Sequence, residues 1–218
     1  MLRKILETLS PTYCLWCYKK NDLFLCPEHL EIINSFLCPV CHLKFPEIKI
    51  KKITCPSCSQ KTYLDGLFPI FRLNEPLEKL IHSYKYDLYF DLVKTICFIS
   101  KEFIYNKFKD FYFIPIPSHK SKIKERGFDH IRLILENMDL KILDALLKIR
   151  KTKPQAQTEF LERSQNIKDA FVLKEKNLPE VVFLFDDIKT TGSTLNEACK
   201  ILKQGGAKLV FALTLATK

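Results

Sequence analysis

The chemistry of this sequence concentrates in VVFLFDDIKTTGSTL, residues 181–195. Five apolar residues, Val181 to Phe185, predict a strand buried on both faces. Asp186 and Asp187 stand at its carboxyl end, the edge where open α/β sheets place their ligands. Two adjacent carboxylates there can accept hydrogen bonds from vicinal hydroxyls, such as those of a ribose. Thr190, Thr191, Gly192, Ser193 and Thr194 then supply hydroxyls, successive backbone N–H groups and a glycine that allows close approach. A helix predicted over Ser193–Gln204 points its positive end at the same place, so turn and helix form a phosphate cradle. The segment is not a Walker loop, since GxxxxGK[ST] is absent, nor a dinucleotide fingerprint, since no GxGxxG occurs. Asp and Thr also serve ordinary turns and caps. Two Asp followed by Thr-Thr-Gly-Ser-Thr exceed what a plain turn requires.

Cations on the same edge would face a pyrophosphate group. The segment PIPSHKSKIKERGFDH, Pro115 to His130, follows a predicted strand and packs His119, Lys120, Lys122, Lys124 and Arg126 into a short loop. Arg126 stands out because Gly127 beside it permits close backbone approach, whereas the three lysines also read as solvated loop charges. A second cluster, KIRKTK from Lys148 to Lys153, contains Arg150 and Lys151. It leads into a polar stretch with Gln155, Arg163 and Asn166.

A different chemistry is written near the amino terminus. The pairs are Cys14-x2-Cys17, Cys26-x2-His29, Cys38-x2-Cys41 and Cys55-x2-Cys58. Paired knuckles of this spacing suit tetrahedral zinc, and four pairs supply enough ligands for two ions. Sequential pairing gives one site of three cysteines and His29 and one all-cysteine site; a cross-braced arrangement would exchange partners. His42, beside Cys41, is a possible substitute for His29. Without metal so short and polar a segment would struggle to fold. Tyr13, Trp16 and Tyr18 surround the first knuckle, where they can stack on bases of single-stranded nucleic acid or, for Trp16, fill the module's own core. Cys97 and Cys199 fall within helical patterns and read as small core residues.

The elements that must position these groups follow from apolar periodicity. A helix is predicted from Pro76 towards Lys107, with Leu77, Leu80, Ile81 and Tyr84 at three- and four-residue spacings and a break near Asp87. Phe111 to Ile116 is a buried strand stopped by Pro117. Another helix is expected over Ile131–Ile149, and the polar region Lys151–Asn166 reads as a long loop. Val181–Phe185, the helix Ser193–Gln204 ended by Gly205 and Gly206, and the strand Leu209–Leu215 make a βαβ unit. The expected organisation is a zinc-ribbon-like module over 1–62 and an α/β domain over 63–218.

Composition agrees with a packed domain: 47% of residues are hydrophobic, with 17 Phe and 8 Tyr against only 5 Gly. The start, MLRKILETLS, lacks the continuous apolar core of a signal peptide, and no stretch is long and apolar enough to span a bilayer. A cytoplasmic protein without membrane insertion is expected, where clustered cysteines are metal ligands rather than disulfides. The formal net charge is +10, falling to about +7 if seven thiolates hold two zinc ions. That balance suits a polyanionic partner, although a lysine-rich genome would produce the same excess.

The turn resembles the signature that binds phosphoribosyl pyrophosphate (PRPP) in type I phosphoribosyltransferases: an apolar strand, two acids, then Thr-Thr-Gly, a small residue and Thr. The resemblance implies that Asp186 and Asp187 hold the ribose hydroxyls. It also implies that Thr190, Thr191, Gly192, Ser193 and Thr194 hold the 5-phosphate. Further motifs narrow the likeness. SYKY around Lys85, RGF at 126–128, PQAQ at 154–157 and ERSQNIKDAF at 162–171 together resemble the ComF/ComFC group over nearly the whole chain. That group joins a zinc module to a phosphoribosyltransferase-like domain and is associated with natural competence and uptake of single-stranded DNA. Two departures are Asp129-His130, where Asn-Gln is usual, and Asp87, where Gly is common.

The resemblance implies a type I phosphoribosyltransferase fold, a parallel sheet flanked by helices, with zinc and Mg2+ as cofactors. Single-stranded DNA, PRPP or a related ribose phosphate, the DNA-uptake translocase and other competence proteins are the implied partners. Three functions are open. One is a competence factor that handles incoming single-stranded DNA and carries a PRPP site. The second is a working phosphoribosyltransferase of nucleotide salvage or synthesis, and the third a zinc-ribbon nucleic-acid binder that uses the PRPP site as a sensor. Transfer would displace pyrophosphate at C1 through an oxocarbenium-like state, with Mg2+ bridging pyrophosphate and ribose oxygens. No residue stands out as a general base. Pyrophosphate contacts are expected from Lys85, His119, Arg126 and Arg163, and DNA contacts from Lys120, Lys122, Lys124, Arg150, Lys151 and Trp16.

Overall fold

The computed structural model describes residues 62–87, 89–150, 169–175 and 177–217. The expected zinc ligands, Trp16, Lys151 and Arg163 lie outside the described residues.

Strand β1 (Gly66–Arg72) opens the described chain, followed by helices α1 (Glu75–Tyr86) and α2 (Leu92–Phe108). Strand β2 (Tyr112–Pro115), helices α3 (Lys120–Arg126) and α4 (His130–Asn137), and short strands β3 (Lys141–Ile142), β4 (Leu146–Lys148) and β5 (Phe171–Leu173) come next. Strand β6 (Val181–Lys189), helix α5 (Ser193–Gln204) and strand β7 (Leu209–Thr217) complete it. Five strands form one wholly parallel sheet in the order β1-β7-β6-β2-β3, while β4 and β5 pair antiparallel as a separate ribbon. The expected parallel sheet flanked by helices is what forms.

The strands bury both faces, and the period of two divides their side chains between two cores. Phe183 and Phe185 of β6 join Phe113, Phe211 and Leu213 beneath α1, α2 and α4. Val182 and Leu184 point the other way, with Ile114, Val210 and Ala212, beneath α5 and the β4–β5 ribbon. Phe183 is the aromatic centre, its ring 5.0–6.0 Å from those of Phe68, Phe108, Phe111, Phe113 and Phe211. Cys97 and Cys199 are both buried, as small core residues should be.

Helix α1 is capped by Asn74, whose side chain accepts from Leu77 N–H, and the expected break at Asp87 separates it from α2. Two expectations fail. The helix predicted over Ile131–Ile149 ends at Asn137, because Asp139 adopts φ 53° and turns the chain. Leu146 then packs into the core beneath α5 from a strand, pairing with Leu173. The basic segment after β2 is not a loop but the helix α3. His119 caps it by accepting from Ser121 N–H, and Gly127 ends it at φ 86°. No described helix is long and apolar enough to cross a membrane.

Candidate functional site

All strands of the main sheet run the same way, so their carboxyl ends share one edge, and β6 lies in the middle of it. The strand runs on past Phe185 to Lys189, carrying both acids within the ladder: Asp186 is opposite Thr214 of β7. The period of two that separates Leu184 from Phe185 therefore separates Asp186 from Asp187. Asp186 points to the α5 side and Asp187 to the α1 and α4 side.

On the α5 side, Asp186, Ile188, Lys189, Thr190, Gly192, Thr194 and Leu195 line a shallow cavity of about 20 Å3. Gly192 is the residue before α5 and sits at φ 80°. A Cβ there would meet only Lys189, with Cε at 3.5 Å, so the left-handed backbone is what calls for glycine, rather than a close approach. Thr191 Oγ1 lies 2.9 Å from Ser193 Oγ and accepts from Ser193 N–H, which shapes the turn. The first N–H groups of α5 open onto this cavity edge, a place that favours an anion. Thr214, fully buried next to Asp186, has no hydrogen-bond partner for its hydroxyl among the described residues.

On the other side, Asp187 is 5% exposed and saturated. Its Oδ1 accepts from Ile188 N–H, and its Oδ2 meets the Lys85 ammonium and His130 Nε2, the latter at 3.0 Å. The other ring nitrogen of His130, Nδ1, lies 2.6 Å from Arg126 Nη1. Arg126 also lies over the Tyr86 ring, 5.5 Å from its centre. Lys85, Tyr86, Lys122, Glu125 and Arg126 line a second cleft, about 110 Å3 in volume. Each residue of Tyr84-Lys85-Tyr86 thus has a task, for the Tyr84 hydroxyl donates to the His130 carbonyl at 2.8 Å.

The electrostatics follow this division. Burial, reinforced by the neighbouring charge of Asp187, pushes the Asp186 carboxyl up to about 7, against the opposing pull of Lys85 and Lys148. Burial would raise Asp187 as well, but Lys85 and His130 outweigh it and hold that carboxyl well below the usual carboxylate range. Burial disfavours the Lys85 ammonium, yet Asp187 more than compensates and raises its pKa. His130 is lowered by burial and by the cations Lys85 and Arg126, with Asp187 pulling the other way.

Lys85 and Arg126 are thus gathered on one side of β6, and the Thr-rich turn on the other. His119 is engaged locally with Ser121. Lys120 and Lys124 are exposed on α3, Lys122 is paired to Glu125 at 2.8 Å, and Arg150 is exposed after β4. Sequence reasoning missed His130 and Tyr86 as site residues. The four-residue spacing of Arg126 and His130 was visible, but Gly127 breaks the helix between them and hides the pairing.

Fold and site together define a parallel α/β domain with a hydroxyl-rich turn at the centre of its carboxyl edge. No family model matches the chain. Competence protein ComFC of Streptococcus pneumoniae is 29% identical over 222 residues, covering 93% of this chain and 98% of that protein. Competence protein F of Haemophilus influenzae is 27% identical over 88% of this chain and 94% of that protein. Competence protein ComFC of Bacillus subtilis is 29% identical over 49% of this chain and 45% of that protein. Among solved structures, the allosteric regulatory enzyme of purine biosynthesis is similar at a TM-score of 0.38 and 14% identity, over 57% of this chain and 26% of that one. Over most of its length the chain is thus similar to competence proteins of the ComF/ComFC kind.

Proposed function

We propose that the chain is a competence factor that handles incoming single-stranded DNA in the cytoplasm and binds PRPP with Mg2+ at the turn from Asp186 to Thr194. The observation that carries the PRPP reading is the turn itself. A half-buried acid lies in the second half of the central strand, Thr190, Thr191, Ser193 and Thr194 bring hydroxyls just beyond it, and a helix begins at Ser193, directly after Gly192 in the left-handed region. Asp186 would take the ribose hydroxyls or the metal-bound oxygens. The N–H groups and hydroxyls from Thr190 to Thr194 would take the 5-phosphate. Arg126 and Lys85, across β6, would take the pyrophosphate. Mg2+ would supply charge neutralisation between pyrophosphate and ribose oxygens, and the acid-bearing strand end suits such a hard cation.

The saturated hydrogen bonding of Asp187 narrows its part to holding Lys85 and His130. Binding of PRPP is the function proposed. The cysteine pairs fit two zinc ions by their donor chemistry. The zinc module and the exposed lysines of α3 would provide surfaces for a single strand. The names of the relatives support the competence role. Calorimetry of full-length protein with PRPP and Mg2+, followed by mixing with single-stranded DNA, tests both halves. Saturable heat with PRPP and a DNA complex at physiological salt are expected. Turnover of PRPP with a free base, and no DNA complex, would favour the salvage enzyme instead.

A further inference from the structure

His130 touches both halves of the cationic side of the site through opposite ends of one ring. A guanidinium has donors only and stays protonated, so the nitrogen 2.6 Å from Arg126 must be an acceptor: Nδ1 carries no proton. Asp187, held ionised by Lys85, is an acceptor only, so Nε2 must carry the proton that it donates to Oδ2. One species meets both demands, the uncharged imidazole protonated on Nε2. An imidazolium would set an N–H against the guanidinium N–H. The side chain is 8% exposed, the backbone carbonyl is tied to the Tyr84 hydroxyl, and Asp129 caps the helix that begins with His130. Ring and backbone are thus both held by hydrogen bonds. The charged groups facing the ring are Asp187 on β6, Lys85 on α1 and Arg126 on α3, and the two cations disfavour a third positive charge.

We propose that His130 is an uncharged positioning residue that orients Arg126 toward the cleft lined by Lys85, Tyr86 and Lys122, and anchors that orientation to Asp187 at the end of β6. A carboxylate in its place would orient the guanidinium equally well but would cancel its charge. A neutral acceptor orients Arg126 and leaves its charge for an anion. Tyr86 contributes in the same sense, since a ring beneath a guanidinium fixes its plane without neutralising it. The anion is the pyrophosphate end of the ligand proposed above, so this purpose rests on that reading, whereas the state of the ring does not.

Two measurements on the full-length protein test the proposal. Nitrogen-15 NMR of the imidazole, without ligand, is expected to show at about pH 7 the neutral ring protonated on Nε2. A ring protonated on Nδ1, or a charged one, would overturn it. Calorimetry with PRPP and Mg2+ is then compared among variants. His130→Ala should weaken binding at least about tenfold, as loss of a contact to a charged group does. His130→Gln, whose amide presents an acceptor oxygen and a donor nitrogen, should restore affinity to within about threefold of wild type. In an Arg126→Ala background, His130→Ala should have no further effect, because its action runs through Arg126. Equal losses in both backgrounds, or no rescue by Gln, would overturn the proposal. If the Ala variant does not fold, the Gln variant and the spectrum decide. Wild-type protein that binds no PRPP would overturn the purpose assigned to Arg126, while the spectrum would still decide the state of His130.

Discussion

Asp186 and Asp187 are identical side chains one residue apart with opposite tasks. Asp187 completes a buried ion pair with Lys85, and removing one partner of such a pair leaves an uncompensated charge. Asp187→Asn is therefore expected to destabilise the fold by about 3–5 kcal/mol, read from denaturant unfolding. Asp186 behaves in the reverse sense. Its carboxyl is raised to about 7 in the fold, above the ordinary 3.8, so the folded chain binds more protons than the unfolded one between those values. Stability must then fall as pH rises through that window. Asp186→Asn should consequently raise the unfolding midpoint above about pH 7 and lose that advantage below about pH 4. A variant less stable than wild type in mildly alkaline buffer would contradict this assignment. The acids were legible in the sequence as residue types at a strand end. Their division was legible too, in the period of two through Leu184 and Phe185, but reading them as one pair for vicinal hydroxyls obscured it. His130 could not be found from spacing alone, because the contact depends on how α3 ends and α4 begins.

At the scale of elements, two turns hold the site, and each depends on a left-handed glycine. Gly127 ends α3 at φ 86° with nothing within 4 Å of where a Cβ would stand, and Gly192 precedes α5 at φ 80°. Space is available at both, so the cost of Gly192→Ala is conformational, about 1–2 kcal/mol, measurable as a lowered unfolding midpoint. Gly127→Asn should cost less than Gly127→Ala, since Asn tolerates this region better. Equal costs would mean that something other than backbone conformation governs the turn. The strand and helix flanking Gly192 were readable because the apolar run and the terminating Gly205 agree. The α4 region was not, because Ile131 to Ile149 keeps an apolar spacing that suits a helix. There the left-handed Asp139 and the pairing of β4 with β5 override local preference.

Across the whole molecule, the sheet is what lets a turn on one face and a cation cluster on the other share one edge. Phe183 lies at its aromatic centre, fully buried. Phe183→Ala should destabilise by about 3–5 kcal/mol through the cavity left behind. The basic balance of the chain predicts that single-stranded DNA binding weakens steeply with salt, with a logarithmic slope of roughly −0.7 per neutralised phosphate. Replacing Lys120, Lys122 and Lys124 with Ala should flatten that slope; an unchanged slope would move the contact away from α3. The parallel sheet was legible from apolar runs, because strands covered on both faces show no alternation to mislead. The central claim is that the turn after β6 binds PRPP through Asp186. Calorimetric titration of PRPP with Mg2+ into wild-type and Asp186→Asn protein tests it most directly. Wild type should bind in a magnesium-dependent manner, and Asp186→Asn should lose at least about tenfold in affinity, the weight of one charge-assisted contact, without loss of stability. Equal affinity in the two proteins would contradict the claim.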